Sequence, residues 1–208
     1  KLARTAHNLA EADQQFNDLQ NSYNALPELP EQLPEKLIEG IQRDYQNACA
    51  QFDQCHARII ENIHARQLDA LRLKAELCSQ LEQLGESPSA DKLQAINQQW
   101  DNIELQDSEY TRRIEARRSS VQEDIDRAAI GQQRRMLCIR LEIELGAQSP
   151  AEDKSLRMQY QLDQMNETGL GQRSIDNSGL LKEMELDWLC MPGAEAELQQ
   201  QLDQRFQQ

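Results

Sequence analysis

The stretch PEKLIEGIQRDYQNACAQFDQCHARIIENIHARQLDALRLKAELCSQLEQL, Pro34 to Leu84, decides how this chain folds. After Pro34 it holds no proline, and its only glycine is Gly40. Apolar residues recur at Leu37, Ile41, Tyr45, Ala48, Phe52, Cys55, Ile59 and Ile63, then at Ala70, Leu73, Leu77, Leu81 and Leu84. Steps of three and four return side chains to one face of a helix, so the pattern predicts a coiled-coil-like seam. Arg66 or Gln67 interrupts that seam once. Pro34 suits the first helical position, where its missing N–H goes unused. Gly85 with Ser87-Pro88 is expected to end the helix.

The same period extends to both sides. Leu2, Ala6, Leu9, Phe16, Leu19, Tyr23 and Leu26 form an N-terminal stripe that Pro27, Pro30 and Pro34 stop. Downstream, a short helix from about Ala90 to Ile103 carries Leu93, Ile96, Trp100 and Ile103 on one face. A second long helix is predicted after Asp107, its expected N-cap, with Tyr110, Ile114, Val121, Ile125, Ala128, Met136, Ile139 and Ile143 in its stripe. It should stop at Gly146 and Ser149-Pro150, before a short helix to about Thr168. A glycine-bearing loop, Gly169 to Gly179, and helices near Leu180–Cys190 and Ala194–Phe206 complete the reading.

Composition agrees with an all-α chain. Among 208 residues there are 27 Leu and 29 Gln but one Val and three Thr, with aromatics at 4%. Sheets need β-branched and aromatic residues, so sheet folds and the enzyme classes built on them are nearly excluded. No 18-residue apolar run and no basic start before an apolar stretch are present, which predicts neither a membrane span nor a signal peptide. The start at Lys1 reads as a piece of a longer protein. Five Cys without framework spacing (49, 55, 78, 138, 190) suit free thiols in a reducing cytoplasm.

An internal repeat is visible. Leu77-Cys78 recurs as Leu137-Cys138, Ser87-Pro88 as Ser149-Pro150, and Asp91-Lys92 as Asp153-Lys154. Ile96, Trp100 and Ile103 correspond to Met158, Leu162 and Met165. The predicted fold is therefore elongated and all-α, with long coiled-coil-like helices packed with short ones in tandem repeat units. Its expected divisions are an N-terminal helix and Pro-rich turn (1–33), a first repeat unit (34–106), a second (107–173) and C-terminal helices (174–208).

Pro34–Ile103, and again Met136–Met165, resemble the bacterial "domain of unknown function 349" family. Phe52 in the long helix, Lys74 and Leu77 toward its end, and Trp100 in the short helix carry the resemblance. The second stretch departs from it by placing Leu162 where a Trp is typical. The resemblance implies tandem helical repeats in a cytoplasmic bacterial protein and brings no activity with it.

Few constellations suit chemistry. Glu61-x-x-His64 has the spacing of half a di-iron site, but neither His7 nor His56 completes a second pair. Cys49, Cys55, His56 and His64 lack the short Cys pairs of structural zinc sites. Gly169-Leu-Gly171 has no preceding strand and no Gly-Lys-Ser/Thr, so it is not a phosphate loop. Trp188-Leu-Cys-Met before Pro192-Gly193 is either a core plug under a turn, the preferred reading, or an exposed partner anchor.

Charge is the feature that stands out. The window Arg112–Arg140 holds eight basic residues (Arg112, Arg113, Arg117, Arg118, Arg127, Arg134, Arg135, Arg140) against four acids, or +4. The chain as a whole is −14, which leaves −18 elsewhere. Such a face either docks RNA or an acidic helix through bidentate contacts, or pairs with acidic helices of its own protein. No aromatics interleave the arginines, as single-stranded RNA would favour.

The expected function is a non-catalytic scaffold binding protein partners in the bacterial cytoplasm, with no enzyme activity, catalytic residue, metal, cofactor, membrane or small-molecule substrate. An RNA or ribonucleoprotein contact through the Arg112–Arg140 face is the alternative. A third reading is a coiled-coil arm of a larger ATPase, which would need nucleotide motifs outside this chain.

Overall fold

A computed structural model describes residues 9–27, 34–84, 89–121, 123–168 and 177–207. Among them the elements are α1 (Leu9–Asn24), α2 (Glu35–Gln83), α3 (Ala90–Asp101), α4 (Glu109–Ser120), α5 (Arg127–Glu144), a 3-10 turn (Ala151–Asp153), α6 (Lys154–Thr168), α7 (Asn177–Cys190) and α8 (Ala196–Phe206). No strand occurs among the described residues, so the all-α expectation holds. The expected stops at Pro30 and at Gly85 with Ser87-Pro88, and most of the Gly169–Gly179 loop, lie outside the described residues. The chain divides into two compact units, 1–66 and 67–208. The division falls within α2, where the seam is interrupted.

In the first unit, α1 lies antiparallel to the start of α2. Phe16 stacks on Phe52 with ring centroids 3.9 Å apart, and Tyr23 on Tyr45 at 3.7 Å. Asp13 Oδ1 lies 2.9 Å from His56 Nε2, and Gln20 Nε2 donates to Cys49 Sγ at 3.9 Å. As numbers rise along α1, partners fall along α2. Each stack contributes about 0.5–1.5 kcal/mol beyond its area. The contact face of α1 is thus Ala12, Phe16 and Tyr23, and the expected seam residues Leu19 and Leu26 are 57% and 64% exposed. A two-helix pair can cover only one stripe of each helix, and the flat aromatic rungs take that place.

The second unit has two apolar clusters. One gathers Leu71, Ala75, Leu77 and Cys78 of α2, Ile96 and Trp100 of α3, Ile114 of α4 and Cys190 of α7. The other gathers Leu137 and Cys138 of α5, Met184 and Trp188 of α7, and Leu202 of α8. Helix α7 contributes to both, so it is apolar on two sides. In this part of α2 the buried face turns toward Leu71–Ala75–Cys78, and Leu73, expected in the seam, is half exposed. Leucines on more than one face of the helix make both rotations compatible with the sequence. Packing against α3 and α4 selects one.

The expected long helix after Asp107 is two helices. Ser108, not Asp107, caps α4, its backbone extended and its hydroxyl accepting from the Thr111 N–H at 3.1 Å. Ser119 and Ser120 donate back to the carbonyls of Glu115 and Arg117, a competition with the helical ladder that favours ending there. Asp126 then starts α5, its carboxylate accepting from the N–H groups of Ala128 and Ala129. At the other end, Gly146 at φ 70° closes α5. Its N–H reaches Ile143 O and that of Ala147 reaches Glu142 O at 2.7 Å, the paired bonds of a Schellman motif.

Burial raises the thiols of Cys78 and Cys138 to about 12 and that of Cys190 to about 11. Cys49 and Cys55 are only half-buried. Ellman's reagent at pH 8 is therefore expected to titrate at most these two thiols rapidly, the other three reacting on unfolding. Five fast thiols in the native chain would contradict this packing.

Candidate functional site: the arginine set around the end of α7

Helix α7 ends inside the unit. Its last turn runs into Met191, Pro192 and Gly193, and Pro192 offers no N–H to continue the ladder. The final carbonyls of a helix have no partner within it, and buried carbonyls must find one elsewhere. Arginines supply them. Arg134 of α5, 1% exposed, donates from Nε to Pro192 O at 2.8 Å and from Nη2 to Met191 O at 2.5 Å and Trp188 O at 3.3 Å. Arg117 of α4, 4% exposed, donates to Leu189 O at 2.7 Å. Arg127 reaches Gly193 O at 3.1 Å.

Glu82 of α2 balances this positive end. Its Oε1 accepts from Arg117 Nε and from the Gly193 N–H, both at 3.0 Å, and its Oε2 accepts from Arg117 Nη2 at 2.9 Å. A Cβ on Gly193 would stand 2.6 Å from Glu82 Oε2, so only glycine permits this approach without displacing the carboxylate. The Arg134 guanidinium lies 4.4 Å from the Trp188 ring centroid and 3.9 Å from Asp203 Oδ1. Burial first, and then the neighbouring Arg117 charge, push Arg134 down to about 10. The cation is costly to bury and is tolerated because carbonyls, ring and carboxylates surround it.

The other arginines of the set are placed differently. Arg113 pairs with Asp187 at 2.7 Å, and Arg135 with the fully buried Asp153 at 2.5 Å. Arg118 donates to Asn97 and lies 4.6 Å from the Trp100 ring centroid. Lys74 Nζ stands 4.4 Å from the same centroid. Arg112 is exposed, its Nε 3.4 Å from Ser108 O. Arg140 lies 6.0 Å from the Tyr160 ring. Of the eight, Arg113 and Arg140 together line an open cleft of about 550 Å³ with Gln132, Met136, Asp187 and Met191.

A second ionic cluster escaped the sequence reading. Arg205 of α8 bonds Glu142 through Nε at 2.5 Å and Nη2 at 2.9 Å, and Asp153 through Nη1 at 2.5 Å. The Ser149 hydroxyl donates to Glu142, and Arg157 donates to Ser149 Oγ and Ala147 O. Glu142 is the first cause raising Arg205 above its usual range. No local spacing announces these partners, which are up to 63 residues apart. The arginine grip on α7 left a trace in the sequence: a Trp-bearing apolar turn closed by Pro192-Gly193. Trp188 is indeed core, 8% exposed and stacked on Phe206 at 4.1 Å.

Glu61 and His64 are both exposed. Among the described residues no three His, Cys, Asp or Glu side chains gather as a metal-binding group. Nor is any helix among them long and apolar enough to cross a membrane.

These features define an all-α protein whose buried arginines tie helix ends together. Residues 40–107, about one third of the chain, match the family model described as Domain of Unknown Function (DUF349), which confirms the family resemblance over that stretch. The match takes in most of α2 and all of α3, and stops just before α4. The resembling stretch Met136–Met165 lies outside it. No curated protein and no solved structure matches the chain.

Replacing Arg134 by Met leaves three carbonyls without a donor, and is expected to destabilise the fold by about 3–5 kcal/mol in urea denaturation. Arg112→Met, on an exposed side chain, should change stability by less than about 0.5 kcal/mol. Equal effects from the two substitutions would contradict the placement of Arg134.

Proposed function

We propose that the chain is a non-catalytic helical scaffold that binds other proteins in the bacterial cytoplasm, as part of a longer protein built from tandem helical units. One observation carries this reading: apolar side chains stand on the outside of both units. In the first, Leu19, Leu26, Leu37 and Ile41 are exposed. In the second, Met158, Leu162 and Met165 form an exposed row on α6. An exposed apolar row such as that on α6 is typical of association sites.

The internal similarity supports the same reading. Ile96 and Trp100 of α3 are core, whereas their counterparts Met158 and Leu162 on α6 lie open. A stacking unit leaves such a face for a neighbour to cover. The RNA alternative draws on the eight arginines. Six of them (113, 117, 118, 127, 134, 135) are already engaged by carboxylates, an amide or main-chain carbonyls of the same unit. Arg112 and Arg140 have no carboxylate partner among the described residues and would have to carry that contact.

Affinity capture of the tagged chain from bacterial cells, with a Leu19→Glu/Leu37→Glu/Leu162→Glu variant alongside, tests the scaffold. A protein partner retained in near-stoichiometric amount by the native chain and lost by the variant is expected. A low-salt RNA gel shift that Arg112→Glu/Arg140→Glu removes, without any protein partner, would replace the scaffold by the RNA reading.

A further inference from the structure

Helix α6 carries an apolar row on an exposed face. Its contact with α5 runs through Tyr160, whose ring lies 6.0 Å from the Arg140 guanidinium. Met158, Leu162 and Met165 follow each other at steps of four and three, and at 3.6 residues per turn they fall opposite Tyr160. They are 64%, 53% and 49% exposed. The apolar face thus points away from the unit that carries it.

We propose that this face is a self-association surface, and that its occupant is the α6 of a second copy of the chain, antiparallel about a two-fold axis at Leu162. The inference rests on the scaffold reading and names a partner for one of its exposed rows. A two-fold interface must be complementary to itself. The row is: Leu162 meets its own copy on the axis, and Met158 meets the partner's Met165. Met side chains, unbranched and polarizable, adapt to such a seam.

Charge selects the same arrangement. The chain carries −14, so most of its surface repels a copy. The row is bordered by Ser155, Gln161 and Asn166, with Lys154 at its N-terminal edge, while Asp163 falls on the other side of the helix. The bordering amides both donate and accept hydrogen bonds, so they suit a copy of themselves. An antiparallel pair also sets Lys154 beside the C-terminal end of the partner's α6, the negative end of the helix dipole. Three half-exposed side chains per copy bury far less than a permanent dimer needs, which makes the association weak and concentration-dependent.

Sedimentation equilibrium of the full chain from about 5 to 500 µM tests this, since interfaces of this size bind weakly. The mass is expected to rise from 24.0 kDa toward twice that value across the range. Leu162→Glu, on an exposed position and with unchanged circular dichroism, should hold it at 24.0 kDa throughout. Leu162→Cys should give a disulfide-linked dimer under mild oxidation in higher yield than the native chain. A monomer at every concentration, or a dimer indifferent to Leu162→Glu, overturns the inference. A monomeric chain that still captures a different protein separates this failure from failure of the scaffold reading.

Discussion

The end of α7 is the constraint on which the second unit depends. A helix that is apolar on two sides must lie between two cores, and its last carbonyls, left without partners in the helix, then face the neighbouring helices. Arginine answers this need better than any other side chain, because its planar fork carries five donors and can serve several carbonyls at once. Arg117 and Arg134 approach from α4 and α5, and Glu82 joins them to α2 through Arg117 and the Gly193 N–H. The break between α4 and α5 matters here, since each arginine comes from its own helix.

The ionic cluster of Arg205, Glu142, Asp153 and Arg135 fixes the far side of the same unit. It joins α8, the last turn of α5 and the 3-10 turn before α6. Ion pairs of this kind roughly break even against apolar packing, yet each partner is costly to remove alone. Both clusters turn positive charge inward, which leaves a surface dominated by carboxylates and amides. On that surface the outward row of α6 is conspicuous, because it carries the apolar periodicity that elsewhere serves the interior.

Helix class, the unbroken α2 and the stop at Gly146 were legible in the sequence, because each depends on local chemistry: period, absence of proline, a glycine able to adopt positive φ. The rotation of α2 beyond Arg66 was not. Leu71 and Leu73 lie on nearly opposite faces of the helix, and only the partners α3 and α4 decide between them. The serines at 119 and 120 and the cap at Asp126 were present as signals for the α4–α5 break, but a stripe continuous from Tyr110 to Ile143 outweighed them. The arginine set was visible as a charge imbalance, while the partners of Arg113, Arg117, Arg127 and Arg134 lie 35 to 74 residues away and can be assigned only in three dimensions.

The two tryptophans of the chain, Trp100 and Trp188, fall one in each apolar cluster, so they report separately on the parts that the arginine grip holds together. Urea unfolding followed in Trp100→Phe and Trp188→Phe chains, each with and without Arg134→Met, tests that grip directly. With Arg134 present the two fluorescence transitions should coincide, as for one cooperative unit. With Arg134→Met the Trp188 transition should move to lower urea and separate from that of Trp100. Transitions already separate with Arg134 in place, or still coincident without it, would contradict the account.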